Sequence, residues 1–293
     1  MKLYAPGYYS KFKCTAEKCT HSCCVGWEID VDSDTIEKYK ALEDKKIADS
    51  IDILPTPHFR LAEDERCPHL DQKGLCNIIS RYGEEYLCDI CKEHPRFYNR
   101  TAIGVEVGLG MVCEEACRII LGSDDYDTLT QIGECEADPA PSFDIIPHRE
   151  RIFDILKDIF LYYTYKIHKI SAVYDVQLST LDGGEWMNVL AELEYLIPSH
   201  KELFSHFRSD SAPSEDIVPM LERAFAYFVY RHVSSAEDEG ELRARIGLCL
   251  FLERLLRSIV TSTDTDVYDA ARIISEEIEY SEENTKKILD IFR

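Results

Sequence analysis

The sequence lacks long apolar runs. No stretch approaches the roughly 20 consecutive apolar residues that span a bilayer, and the opening segment MKLYAPGYYSKFKC has no apolar stretch of the kind a secretory signal carries. Both absences predict a chain that stays in a reducing cytoplasm and has no membrane partner. The sequence is also short of positive charge. It has 33 Lys and Arg against 55 Asp and Glu, a formal charge of −22. A chain this acidic repels nucleic acid and anionic lipid, so neither is an expected partner. It tolerates, or attracts, a lysine-bearing substrate. The acidic excess is spread along the chain, with no acidic tail or basic arm. A glycine-rich nucleotide loop is missing too. The closely spaced glycines of GVEVGLG, Gly104 to Gly110, are too short a match to locate a cofactor.

Cysteine is plentiful. There are 12, and all but Cys249 lie between Cys14 and Cys135. In a reducing compartment that crowding points to metal more than to disulfides. The spacing begins C-x4-C-x3-C-C at Cys14, Cys19, Cys23 and Cys24. It continues through Cys67, Cys76, Cys88 and Cys91 to Cys113 and Cys117. Soft thiolates of this kind hold zinc or an iron–sulfur cluster. Zinc sites commonly use paired two-residue knuckles, and here only Cys88 and Cys91 have that gap. The irregular first run suits a cluster or polynuclear centre better, with zinc as the alternative. A C-x3-C-x2-C signature is absent. Gly26 follows Cys19 and Cys23 where a third cysteine would stand, and Ile120 follows Cys113 and Cys117. His21, His69 and His94 lie close in sequence and could complete a ligand set.

The expected fold is mainly α. Residues 1–145 read as an irregular, cysteine-rich metal-binding domain with short strands, and residues 146–293 as an all-helical domain. The boundary follows the end of the cysteines and a proline-bearing segment, Gly133 to Pro147, that reads as a linker. Within the first part, Trp27 to Val31 suggests a strand. A helix follows, capped by Ser33 or Asp34, with Ile36, Tyr39 and Leu42 on one face. Val105, Val107 and Leu109 alternate like a strand, and CEEACRIILG reads as a short helix stopped by Gly122. Within the second part five or six helices are expected. One of them runs through HRERIFDILKDIFLYYTYKIHKI, where Ile152, Ile155, Leu156, Ile159, Tyr163 and Ile167 repeat at helical spacing. Another starts at a Ser214 cap.

The cysteine blocks carry a resemblance. FKCTAEKCTHSCCVGWEIDVD, CPHLDQKGLCNI, CDICKEHPRF and GLGMVCEEACRIIL resemble, in order, those of the flagellin lysine N-methylase family of bacteria. YFVYRH and EYSEENTKKIL look like that family's C-terminal blocks. A broader similarity reaches small zinc- or iron-chelating proteins with CxxCxxCC blocks. The family resemblance implies a protein-lysine N-methyltransferase. It would act on flagellin or another lysine-rich surface protein, with S-adenosylmethionine as methyl donor and a 4Fe–4S cluster. It places Cys14, Cys19, Cys23, Cys24, Cys67, Cys76, Cys91 and Cys113 on the family's cysteine positions and leaves Cys88 and Cys117 as extras. Eight exceed the four ligands of one cluster, so two centres or some non-ligating thiols are implied. Arg96 matches the family's Pro-Arg and would offset cluster charge, and Trp27 would shield the cluster from water. The alternative is a zinc- or iron-chelating protein without methylase activity. A lysine methylase must also deprotonate its amine, by desolvation and a carboxylate or tyrosine. With 17 tyrosines and 55 acids the sequence leaves the catalytic group unknown.

Overall fold

A computed structural model describes residues 1–136, 139–177, 183–208 and 212–293. Thirteen α-helices and six short strands are present among them, so the chain is mainly α. No helix among the described residues is long and apolar enough to cross a membrane. The chain divides into two compact units: Lys13–Arg96, and a larger one made of Met1–Phe12 with Phe97–Arg293.

The smaller unit is built from short pieces: helices α1 (Ser33–Ala41), α2 (Lys46–Asp49), α3 (Asn77–Tyr82) and α4 (Asp89–Glu93), with a hairpin of β2 (Ile51–Asp52) and β3 (His58–Phe59). Its core is small and centres on Ile36, Tyr39, Phe59 and Ile78, with the thiols of Cys67 and Cys88 buried among them. The Tyr39 hydroxyl donates to the Tyr86 carbonyl at 2.6 Å, which ties α1 to the loop before α4. The cap of α1 is Asp32, not Ser33 or Asp34; its carboxylate accepts from Thr35 N at 2.8 Å. Trp27 to Val31 is extended but is not a full strand. It makes one bridge, Asp30 to His58, because only a two-residue hairpin lies beside it.

The larger unit holds a sheet of order β4-β5-β1-β6, formed by β1 (Lys2–Pro6), β4 (Arg96–Thr101), β5 (Gly104–Leu109) and β6 (Leu129–Glu134). Strand β1 pairs parallel with β5, Leu3 opposite Val105, and antiparallel with β6. Helix α5 (Glu114–Gly122) ends at the predicted glycine. Eight further helices follow: α6 (Ile146–Lys157), α7 (Tyr163–Val173), α8 (Gly183–Ala191), α9 (His200–Phe204), α10 (Val218–His232), α11 (Glu239–Ser262), α12 (Val267–Ile274) and α13 (Glu282–Phe292). Helix α11 is the axis of the core, with fifteen buried residues over seven turns. Asp238 caps it, accepting from Glu241 N. Gly247 lets α13 approach closely, since a Cβ there would lie 2.4 Å from the Phe292 ring.

The contacts divide the chain at residues 12/13 and 96/97 rather than near 145. Glu106 on β5 and Arg149 on α6 form a bidentate, fully buried pair at 2.6 and 2.7 Å. Ile145 and Ile152 share one apolar core with Leu109 and Ile120. The segment read as a linker has ordered ends, β6 and α6; its residues 137–138 lie outside the described set. The long helix read across residues 148–170 is two helices, α6 and α7, with an open turn between them. The N-cap of α10 is Ile217 instead of Ser214.

Candidate metal centre

Backbone pairing in the smaller unit gathers thiols that are far apart in sequence. Val25 bridges Arg66, and Cys67 N donates to the Cys24 carbonyl at 2.8 Å, so Cys24 lies beside Cys67. A tight turn then folds Cys76 back, with Leu70 bridging Cys76. The Asp71 carboxylate holds that turn by accepting from Lys73 N and Leu75 N. Cys76 is the N-cap of α3, where the Ile79 and Ile78 amides favour its thiolate against burial. Cys88 is the N-cap of α4, and Cys91 lies in its first turn, within hydrogen-bond reach of Cys88. Two helix starts and two paired loops thus bring Cys24, Cys67, Cys76, Cys88 and Cys91 into one electrostatically coupled ring.

The thiols differ in their readiness to lose a proton. Cys24 is lowered to about 7, first by the hydrogen bond from Cys23 and then by Ser22 and Arg66 acting against burial. Cys88 is lowered by the hydrogen bond from Cys91. Cys91 is raised as the donor of that bond and by burial. Burial pushes Cys67 up to about 12 and also raises Cys76. Without a cation the ring therefore keeps protons on Cys67, Cys76 and Cys91. A soft metal displaces such protons, because the thiolate is the ligand.

The donor set suits a soft metal, since all five donors are sulfur. Among the described residues no three cysteine sulfurs lie within 4.8 Å of one another. The buried Nε2 of His94 has no hydrogen-bond partner among the described residues. Burial and Arg96 lower this imidazole to about 4, so it is neutral, the form that binds metal.

Of the eight cysteines predicted as ligands, Cys24, Cys67, Cys76 and Cys91 lie in the ring. Cys23 is exposed and serves Cys24. Cys14 is exposed, and Cys19 contacts the Thr15 hydroxyl at 3.0 Å. Cys113 belongs to the larger unit, where it is the N-cap of α5. Cys117, one turn on, donates to the Tyr268 carbonyl. Cys88, read as an extra, is a buried ring member. Its two-residue gap to Cys91 was the signal that could have placed it. Arg96 donates to the Lys92 carbonyl at 3.2 Å, and Trp27 is half-buried. His69 is buried, its Nε2 2.9 Å from the Ser50 hydroxyl.

A second concentration of polar groups lies in the larger unit, at a one-turn π-helix, Ser275–Glu279. Such turns often mark functional sites. Buried Glu279 meets His232 Nε2 at 2.7 Å and accepts from the Tyr227 hydroxyl at 3.0 Å. That hydroxyl accepts in turn from Met111 N and from Arg231 Nη1, both at 3.2 Å. Arg231 is sandwiched between the Phe97 and Tyr280 rings, 4.9 and 4.6 Å from their centroids. Gly110 clears the space, since a Cβ would lie 2.2 Å from the Tyr280 hydroxyl. Burial alone would raise Glu279, but Arg231 and His232 outweigh it and hold the carboxyl below its ordinary value. With two N–H donors and a carboxylate acceptor, the Tyr227 hydroxyl is fully satisfied, and burial raises it well above the ordinary tyrosine value. The sequence signal was the two C-terminal blocks of the resemblance, since YFVYRH holds Tyr227, Arg231 and His232, and EYSEENTKKIL holds Glu279 and Tyr280.

Comparison with known proteins gives three relatives. The lysine-N-methylases of Salmonella typhimurium and Salmonella choleraesuis are each 29% identical over 136 residues, covering 43% of this chain and 34% of theirs. The flagellar biosynthetic protein FliU of Salmonella muenchen is 29% identical over 130 residues, covering 41% of this chain and 77% of its own length. The chain thus spans about a third of the length of the lysine-N-methylases it matches. No family profile and no solved structure matches. These relatives bear out the resemblance to the flagellin lysine N-methylase family.

Proposed function

We propose that this chain is a cytoplasmic protein-lysine N-methyltransferase that uses S-adenosylmethionine and acts on flagellin or a similar surface protein. We propose further that its thiol ring holds an iron–sulfur cluster. The observation that carries the reading is the gathering of Cys24, Cys67, Cys76, Cys88 and Cys91 from four loops, in a chain whose relatives are named lysine-N-methylases. Cys24, Cys67, Cys76 and Cys88 or Cys91 would hold the cluster, with the remaining thiol or His94 in reserve. When bound, the cluster would supply the cross-links that the small apolar core of this unit lacks.

An ammonium must become a neutral amine before its lone pair can attack a sulfonium methyl. Desolvation of the lysine in the site would favour the neutral amine, with the proton passing to a carboxylate or to water. The Tyr227–Glu279–His232 network is closed and buried, so its role would be to fix α10 against the π-turn. The acidic surface favours a lysine-bearing protein.

Anaerobic purification followed by iron and sulfide analysis tests the cluster. Transfer of labelled methyl from S-adenosylmethionine to purified flagellin tests the activity. Iron with sulfide and labelled lysine is expected. Zinc without sulfide, together with no S-adenosylmethionine binding by calorimetry, would replace this reading with a chelating protein.

A further inference from the structure

The turn between α6 and α7 departs furthest from what a solitary soluble chain should show. Ile159, Phe160 and Tyr162 are 84%, 89% and 87% exposed, and Tyr165 is 58% exposed. Scattered apolar residues on a surface are ordinary, whereas contiguous ones mark interaction sites. Nothing local forces the turn open. Residues 158–162, DIFLY, contain neither glycine nor proline, and the helical spacing of apolar residues runs straight through them. Yet α6 stops at Asp158, whose carboxylate accepts from Phe160 N at 3.0 Å, and α7 starts after Tyr162. The neighbouring Tyr163 and Ile167 are buried in the core. Each large apolar side chain left in water forgoes about 1.5–3 kcal/mol of burial, so covering the set would be favourable.

We propose that Ile159, Phe160, Tyr162 and Tyr165 form the docking surface for the polypeptide substrate, a lysine-bearing chain with apolar residues beside its lysines; this rests on the methylase reading above. Charge selects that occupant. At −22 per chain, a second copy and an anionic membrane are both repelled. The two lysines that flank the turn in sequence are already paired, Lys157 with Asp127 at 2.7 Å and Lys166 with Glu222 at 2.6 Å. Asp154 is exposed and Asp158 half-buried at the foot of the turn. Aromatic side chains with a polar tip, such as Tyr162 and Tyr165, are typical protein-contact anchors.

The test uses the triple variant I159S/F160S/Y162S in the full chain. Because all three side chains face water, its circular dichroism and melting should match the unaltered protein. The expected result is that the KM and Kd for purified flagellin rise at least about tenfold, the scale of losing interface anchors. Kcat and the KM for a short lysine peptide should not change. Unchanged KM and Kd for flagellin overturn the proposal. So does a sedimentation shift from dimer to monomer in the variant, or flotation of the unaltered protein with phosphatidylcholine–phosphatidylglycerol vesicles that the variant loses. If the unaltered protein transfers no methyl group, the methylase reading fails alone. Flagellin binding then still decides the docking surface: binding that the variant loses supports it, and no binding overturns it.

Discussion

The two units solve the same problem with different means. The larger one buries a continuous apolar core around α11, with Trp186 stacked on Phe251 at 4.5 Å and Phe292 seated against Gly247. The Lys13–Arg96 unit has helices of nine residues or fewer, a two-residue hairpin and a handful of buried apolar side chains. A small region buries a smaller fraction of its surface than a large one, so its apolar burial leaves it more marginal. It does have sulfur, drawn from loops that share little regular structure. The comparison teaches that one region folds by excluding water, while on the proposed reading the other would depend on what its thiols hold.

The largest effect should come from attacking that dependence. Cys88→Ser removes a buried ring thiol. Metal ligation can contribute on the order of 10 kcal/mol to a small domain. The variant should therefore lose bound metal and hydrogen-exchange protection throughout residues 13–96, while protection in α10 and α11 persists. Chelation of the unaltered protein should do the same. If α11 lost protection equally, the two units would be one cooperative body and the contrast would collapse.

The opposite attack is on the larger unit. Glu106→Gln leaves the buried Arg149 guanidinium without its carboxylate, which should cost about 3–5 kcal/mol. The double variant E106Q/R149M should recover much of that loss in urea denaturation, and metal content should stay unchanged in both. A smaller loss, about 1–3 kcal/mol, is expected for Gly247→Ala. The added methyl must displace the Phe292 ring, and the melting temperature should report it.

What was legible in the sequence follows the same divide. The helices of the larger unit announce themselves through apolar spacing, and the Gly122 stop of α5 was readable directly. The unit boundary was not, because the Glu106–Arg149 pair and the β1–β5 pairing join residues far apart in sequence and leave no periodic trace. The break at residues 158–162 was invisible because apolar residues continue through it at helical spacing, with no glycine or proline to mark it. For the thiol ring, spacing identified soft-metal chemistry. It could not say that Cys88 faces Cys67 and Cys76 while Cys113 sits in the other unit. The members of the Glu279 network lie in the quoted blocks YFVYRH and EYSEENTKKIL, but their pairing with each other and with Met111, just after β5, leaves no trace in spacing.

The smallest expected effect sharpens the picture of the ring itself. In the metal-free protein Cys24 is lowered to about 7, chiefly by the Cys23 thiol. A free thiol titrates near about 8.5. For a group lowered on folding, the stabilisation is fully present above the unfolded value and is lost as pH falls through the folded one. The metal-free small unit should therefore weaken as pH drops from about 8.5 through about 7. Alkylation of Cys24, followed by mass spectrometry, should reach half its maximal rate near that lower value. Cys23→Ala removes the hydrogen bond and should move the midpoint upward, with no change in the larger unit. An unmoved midpoint would mean that Arg66 and Ser22 set the Cys24 thiolate. The adjacent cysteine pair would then need another reason to exist, such as both sulfurs meeting metal directly.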